Sequence, residues 1–403
     1  MKKIIRIADV SLSVLCVIIF CFIIIGTIFH PKKIVFYDNA ESYSYMTVFN
    51  VTKTQTAMPV FEGKTEIEST AQVSLFGIIP VTHVEAVESE RKYVNLGGNL
   101  VGIKIYTDGL LVVDVQDVDT INGFVNPGEK SGIQKGDIIT HVNDEIVRSV
   151  SEFSQRVAVC EGKDISVTIN RDDNTLYFSL TPAYSESEGK YRCGLWLKDS
   201  TAGIGTLTFT DPETKMFASL GHAIYDSDTK TVLSVSDGDI LKATTNGCEK
   251  GNKGETGQIK GTFSTDDFGD ILENNEFGVY GVYDNEKINN NSLFPVAGQS
   301  EIKTGDAQII STVSDSGTKV YDIEIEKINY TSDKQSRSMV IKVTDEELIE
   351  ETGGIIQGMS GSPIIQNGML VGAVTHVFLN DPTRGYGIFA QTMIDTAESV
   401  NKQ

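Results

Sequence analysis

The sequence is short of cysteine, histidine and positive charge. Only five of its 403 residues are cysteine, and two of these, Cys16 and Cys21, sit inside one apolar run. The other three, Cys160, Cys193 and Cys248, are scattered; they leave room for one pair but make no disulfide framework. The five histidines, His30, His83, His141, His222 and His376, are too dispersed for a ligand cluster, and no Cys/His spacing suits zinc. No metal and no cofactor is therefore expected. Lysine and arginine number 34 against 55 acidic residues, a formal charge of −21. That balance disfavours nucleic acid as a partner and favours solubility. Prolines are few, nine against 37 glycines. With 40% hydrophobic residues the length suits two or three domains.

Long apolar runs are also scarce, with one exception. Val10 to Phe29 carries no charge, and twenty helical residues span about 30 Å, the thickness of a bilayer core. Lys2, Lys3 and Arg6 precede it, which keeps the N-terminus in the cytoplasm. No Ala-x-Ala-like cleavage site follows. Residues 1–30 are therefore expected to be a cytoplasmic tip and an uncleaved signal-anchor whose residues 10–29 meet lipid, with everything after His30 outside the cytoplasm. Residues 31–92 mix short strand-like pieces with polar stretches and are expected to form a juxtamembrane stalk.

Residues 93–183 are patterned more tightly. Leu100 to Tyr106 and Leu110 to Val118 read as strands. A short helix ending at Gly132 follows, then a turn at Lys135-Gly136-Asp137 and a strand from Ile138 to Val142. Ser149 to Cys160 is an amphipathic helix with Ser149 or Ser151 as N-cap, and a hairpin closes the segment. The run Ser131-Gly132-Ile133-Gln134-Lys135-Gly136-Asp137-Ile138-Ile139-Thr140-His141-Val142-Asn143-Asp144 resembles a PDZ domain of the bacterial protease-associated kind. PDZ domains add an extended peptide or chain end to a sheet edge. The resemblance implies that Leu100, Val101, Gly102 and Ile103 belong to that edge and that the helix from Ser149 forms the opposite wall.

Residues 184–403 are β-rich and punctuated by glycine. Short strands such as Gly205 to Phe209, Ile259 to Phe263, Gly278 to Tyr283, Ala307 to Thr312 and Lys319 to Lys327 suggest a barrel or sandwich, and a helix is expected only from about Thr392. Within it lies Gly358-Met359-Ser360-Gly361-Ser362-Pro363, followed by Ile364-Ile365 and a hairpin turn at Asn367-Gly368. A serine between glycines, in a tight loop leading into a hairpin, presents its hydroxyl. The N–H groups of Gly358 and Ser360 can converge there on the oxyanion of an acyl-transfer intermediate. Ser362 is the rival hydroxyl, biased toward extended backbone by the following proline. His222, in Leu220-Gly221-His222-Ala223, is the candidate general base. For the carboxylate that orients an imidazole, Asp345 stands fifteen residues before Ser360, with Asp226, Asp228, Asp237 and Asp239 as rivals. Spacing does not choose among them, and Thr344 to Glu351 reads equally as a short acidic helix capped by Asp345 or Thr344.

These motifs together resemble the stage IV sporulation protein B family, membrane-anchored serine peptidases of endospore-forming bacteria. The specific stretches are Gly203-Ile204-Gly205-Thr206-Leu207-Thr208, Leu220-Gly221-His222, Thr352 to Ile365 and Val371 to Val377. The resemblance implies a mainly β chain with an N-terminal transmembrane helix, a PDZ domain and a chymotrypsin-like double β-barrel. It places the nucleophile on Ser360, the base on His222 and the acid on Asp345. It implies action between the forespore and mother-cell membranes. The substrates would be the protein itself and a membrane-bound regulator of an intramembrane protease, whose cleavage releases processing of a late sigma factor. In such a fold Leu370 to Phe378 flanks the P1 side chain, with His376 near or behind that pocket. Two other classes fit the same features: a general envelope quality-control protease, and a non-catalytic PDZ signalling module.

Overall fold

A computed structural model describes residues 13–24, 27, 33–37, 42–45, 48–59, 65–172, 174–284, 293–330 and 335–402. It comprises two units, Met1–Tyr93 with Pro295–Lys303, and Val94–Phe294 with Thr304–Gln403.

The first unit begins with a helix over residues 13–24 whose Val14, Val17 and Phe20 are exposed. Among the described residues no helix is long and apolar enough to cross a membrane. The rest of the expected span, residues 10–12, 25–26 and 28–29, lies outside them. Where a stalk was expected, a five-stranded sheet has formed. Its order is Lys33–Tyr37, Ile79–Ser89, Thr65–Leu75, Phe49–Pro59, Ser42–Tyr45. The period of two explains why it folds: Phe49 and Val51, Ala71, Val73 and Leu75, and Val84 and Ala86 are all buried. The segment Pro295–Lys303 is tied to this unit by Arg91, which meets both carboxylate oxygens of Glu301 at 2.9 Å.

The second unit is built on two rings of strands. In the first, Leu100–Val115 pairs with Asp237–Glu249, which pairs with Gln258–Asn275. Gly278–Tyr283, Met216–Ser219 and Leu195–Thr210 follow, and the last pairs back on Leu100–Val115. Val101, Ile103, Ile105, Leu207, Phe217, Ile240 and Ile271 fill its interior. The second ring is a closed six-stranded barrel of Gly305–Thr312, Thr318–Ile328, Met339–Val343, Asp381–Phe389, Met369–Phe378 and Pro363–Gln366. The hairpin at Asn367-Gly368 forms as expected, with both residues at positive φ, +51° and +75°. The C-terminal helix runs Ala390–Val400.

The PDZ-like part is an insertion in the first ring, and the boundary expected at 183/184 does not follow the strands. Leu100–Val115 is one strand: its first half belongs to the ring, while Leu110 and Leu111 pair with Ile139 and Ile138 of the inserted sheet. That sheet continues through Ile138–Val142, Ile165–Arg171 and Asn174–Leu180. Ser149 caps the helix Val150–Val159 by accepting from the Glu152 N–H at 3.1 Å. The small helix Pro127–Ser131 ends at Gly132, φ +90°. Asp137 in the predicted turn is buried and paired with Arg171 at 2.6 Å.

The expected peptide-binding edge is corrected by this pairing. Leu100, Val101, Gly102 and Ile103 are matched on one side with Thr206, Gly205, Ile204 and Gly203, and Val101, Gly102 and Ile103 on the other with Lys242, Leu241 and Ile240. A strand with both edges paired has no N–H or C=O row left for a peptide. The open edge belongs to Leu195–Asp199. Its inner side pairs with the Leu111–Val115 segment, and its outer side pairs with no strand among the described residues. Between that edge and the helix Val150–Val159 lies a groove of about 450 Å³ lined by Phe153, Ser154, Val157, Ala158, Leu195 and Trp196.

Candidate active site

Ser360 is presented by a loop whose backbone is fixed almost completely. Gly358 and Gly361 on either side have φ +99° and +93°, values that only glycine adopts freely. A methyl group on Gly361 would lie 2.1 Å from the Thr206 carbonyl oxygen and 2.6 Å from the Leu220 nitrogen. The close approach brings the serine loop against the loop that carries the histidine, Leu220-Gly221-His222. Leu220 itself has φ +67°, a strained conformation of the kind concentrated at functional sites.

His222 is partly buried, and its Nδ1 lies 2.8 Å from the Ala223 carbonyl oxygen. A carbonyl only accepts, so Nδ1 carries the proton and Nε2 keeps its lone pair, the tautomer a general base requires. Burial holds the His222 pKa below the usual histidine value, with the Ala223 hydrogen bond opposing the shift. The loop is held from behind by Asn274, which accepts from the Ile224 N–H at 2.8 Å and donates to the Ile224 carbonyl at 3.0 Å.

Ser360 and His222 meet at one place on the strand Met369–Phe378. The Ser360 hydroxyl donates to the Thr375 carbonyl at 2.7 Å. The His222 ring packs on the next residue, His376, with centroids 4.7 Å apart and planes tilted by 38°. His376 therefore lies directly against His222. Its Nδ1 is buried without a hydrogen-bond partner. Burial, the neighbouring His222 and Arg337 bring its pKa down to about 4, so both rings are neutral near pH 7.

The carboxylates lie elsewhere. Asp345 caps the helix Glu346–Thr352: its side chain accepts from the Leu348 N–H at 3.0 Å and the Asp322 N–H at 3.2 Å. It makes no hydrogen bond to His222, whose Nδ1 is met by the Ala223 carbonyl instead. The competing reading of this stretch, a short acidic helix with Asp345 as cap, is the one realised. Asp226 is buried within its own turn and pairs with Lys198 at 3.2 Å, while Asp237 and Asp239 begin the strand Asp237–Glu249. Ser362 is buried and donates to Ser311 at 3.0 Å, which removes it as a rival nucleophile.

The loop around Ser360 also accounts for the oxyanion donors. The Gln357 carbonyl accepts from the Ile259 N–H at 2.8 Å, the Met359 carbonyl from the Ser362 N–H at 3.0 Å and the Ser360 carbonyl from the Thr206 N–H at 3.0 Å. The Gly358 and Gly361 carbonyls accept from the hydroxyls of Thr206 and Thr208, at 2.7 and 2.8 Å. The Met359 and Gly361 N–H groups are used as well, by Ile356 and Val374. Among the described residues nothing accepts from the N–H of Gly358 or Ser360, the two named from the sequence as oxyanion donors. Sequence reasoning missed the partners: the Ala223 and Thr375 carbonyls, Asn274, Thr206 and Thr208. The threonines did leave a signal. Thr206 and Thr208 alternate along one strand, and hydroxyls on a fully buried face call for acceptors; the hydroxyl of Thr210, next on that face, is buried without a partner.

A fold of two six-stranded antiparallel rings, the first supplying a histidine and the second a serine beside two unused N–H groups, defines a serine peptidase that carries a PDZ domain. A family model described as SpoIVB peptidase S55 matches residues 189–394, about half of the chain, and a PDZ domain model matches residues 126–171. The chain belongs to the SpoIVB peptidase family and is a serine endopeptidase acting on protein substrates. Solved structures similar to parts of it include the PDZ domain of an SdrC-like protein from Listeria monocytogenes, 20% identical, covering 23% of this chain and 90% of that one with a TM-score of 0.19. The active form of the Rv3671c protease from M. tuberculosis is 13% identical, with coverages of 49% and 74% and a TM-score of 0.31. The HtrA-type protease AlgW, solved with a decapeptide, is 12% identical, with coverages of 51% and 55% and a TM-score of 0.31. No curated protein matches the chain.

Proposed function

We propose that Ser360 is the nucleophile, His222 the general base and the N–H groups of Gly358 and Ser360 the oxyanion hole of this endopeptidase. The observation that carries the assignment is the meeting of the serine and the histidine on Thr375 and His376. In the resting arrangement the Ser360 hydroxyl is turned to the Thr375 carbonyl, and catalytic hydrogen bonds are often unformed before substrate binds. On attack Oγ turns toward His222 Nε2, gives it the proton and bonds to the scissile carbonyl carbon. The carbonyl oxygen takes the negative charge between the two free N–H groups. His222 then protonates the leaving amine as the C–N bond breaks, and water releases the acyl group by the same steps in reverse. Asp345 serves this site by fixing the start of the helix that leads into the nucleophile loop.

The physiological setting we propose rests on the family resemblance. Residues 10–29 anchor the chain in a membrane with the bulk outside the cytoplasm, in the space between the forespore and mother-cell membranes. The enzyme cleaves itself in the region 31–92 and then a membrane-bound regulator of an intramembrane protease. The groove between Leu195–Asp199 and the helix Val150–Val159 captures an extended peptide as an added strand. The test is fragmentation of the purified protein followed by mass spectrometry, wild type against Ser360→Ala. Clipping of the wild type alone, with the variant folded and intact, is expected. Equal clipping of both overturns the nucleophile, and a wild type whose Ser360 is not labelled by a fluorophosphonate overturns the peptidase mechanism.

A further inference from the structure

The peptide groups of the nucleophile loop are held from the first ring, and one side chain that reaches into the loop is Thr206. Thr206 is fully buried and uses three of its polar groups at once. Its N–H donates to the Ser360 carbonyl at 3.0 Å. Its hydroxyl donates to the Gly358 carbonyl at 2.7 Å. Its own carbonyl accepts from the Ser219 hydroxyl at 2.6 Å, which sets the threonine in place from the strand that leads to His222. The Gly358–Met359 peptide lies between the two oxyanion donors. Gly358 and Gly361 both have positive φ, so this backbone has alternative conformations open to it, and a rotation of the Gly358–Met359 plane would move one donor relative to the other.

We infer that Thr206 is a positioning residue for the oxyanion hole: its hydroxyl pins the Gly358 carbonyl and so keeps the N–H groups of Gly358 and Ser360 aimed at one point. The inference rests on the reading of Ser360 as nucleophile and adds a role for a residue that touches no substrate. Two features set it apart from ordinary core packing. Valine keeps the packing of the threonine methyl but offers no donor to the part-buried Gly358 carbonyl. The effect also belongs to the transition state alone, because the hole binds the oxyanion more strongly than the ground-state carbonyl.

The experiment compares Thr206→Val, Thr206→Ser and Thr206→Cys in the full-length chain. Serine keeps the donor. Valine keeps the shape without it, and cysteine, between serine and threonine in volume, offers only a weak S–H donor. The readouts are the rate of Ser360 labelling by a small fluorophosphonate, kcat and KM on a peptide substrate, and the thermal midpoint. The expected result is a fall of about 10²-fold in kcat and in labelling rate for Val and Cys at unchanged KM, on the scale of losing one oxyanion donor, with Ser restoring most of the rate. Should Thr206→Val fail to fold, the Ser and Cys pair decides alone. Equal rates for Ser and Cys, or a valine variant as fast as wild type, would overturn the inference while wild-type labelling still stands. Failure to label wild-type Ser360 removes the site reading and this inference with it.

Discussion

In the structure His222 Nδ1 meets a backbone carbonyl and Asp345 caps a helix, and that makes the role of Asp345 measurable. If Asp345 were the acid that orients the base, changing it to the amide would invert the tautomer and cost about 10⁴-fold in kcat. As an N-cap it is replaced well by asparagine and poorly by alanine, with about 1 kcal/mol lost for the latter. Asp345→Asn is therefore expected to keep most of the peptidase activity, and Asp345→Ala to lower the thermal midpoint. A 10⁴-fold loss in the asparagine variant, with the fold intact, would show that the carboxylate swings to His222 during catalysis. The distinction was open in the sequence because an aspartate before Glu346-Glu347-Leu348 fits both a helix cap and an acid near a nucleophile, and spacing along the chain holds no information on where the side chain turns.

The two histidines also make definite predictions about pH. As the proposed base, His222 must be neutral to accept the serine proton, and burial holds its pKa below the usual value. The acid limb of the kcat/KM profile is thus expected below pH 6.5, the ordinary value for histidine; a limb at or above that pH would contradict the buried setting of the base. His376 affects stability in the same direction. Its pKa falls from 6.5 in the unfolded chain to about 4 in the folded one, so between those values the unfolded state binds the extra proton. Stability then rises as pH rises through that window and is level above it. Denaturant unfolding at pH 5 and pH 7 should show the difference, and His376→Leu should reduce it.

At the scale of elements, local signals were legible and pairing was not. The hairpin turn at Asn367-Gly368, the Ser149 cap and the helix stop at Gly132 are each specified by a few adjacent residues, and each formed where the sequence placed it. The strand Leu100–Val115 shows the opposite case. Leu100 to Ile105 carries the apolar pattern of a PDZ edge strand, yet its partners lie about 100 residues away at Gly203–Thr206 and about 140 away at Ile240–Lys242. Nothing in six residues encodes a partner so distant. The groove present in the structure uses Leu195–Asp199, and its helical wall offers Ser154 and Ala158, both exposed. Arginine at both positions should fill the groove without disturbing the core. The expected outcome is slower cleavage of the inactive Ser360→Ala chain supplied in trans, with kcat and KM on a short peptide unchanged. If the full-length substrate is cut as fast as by wild type, the groove does not capture it.

At the scale of the whole molecule, the PDZ-like insertion and the first ring share two antiparallel strands, with no linker between them. Leu100–Val115 and Leu195–Thr210 each run from one part into the other. The second carries the groove edge at Leu195–Asp199 and the Thr206 clamp on the nucleophile loop, and within the groove edge Lys198 pairs with the buried Asp226 in the turn that follows His222. Residues 184–403 had the composition of a complete β-rich domain, because composition registers how much strand there is and not which strands close a ring. A chain starting at residue 184 lacks Leu100–Val115, and both Leu195–Thr210 and Asp237–Glu249 then lose their partner. An opened ring exposes two long edges together with Leu207, Phe217 and Ile240 from its interior. Such a chain is expected to aggregate, to show no cooperative melt and to leave Ser360 unlabelled, whereas the full-length protein melts cooperatively and labels. If the piece from residue 184 folds and labels at the full-length rate, the peptidase is a separable domain and the shared strands are incidental to it.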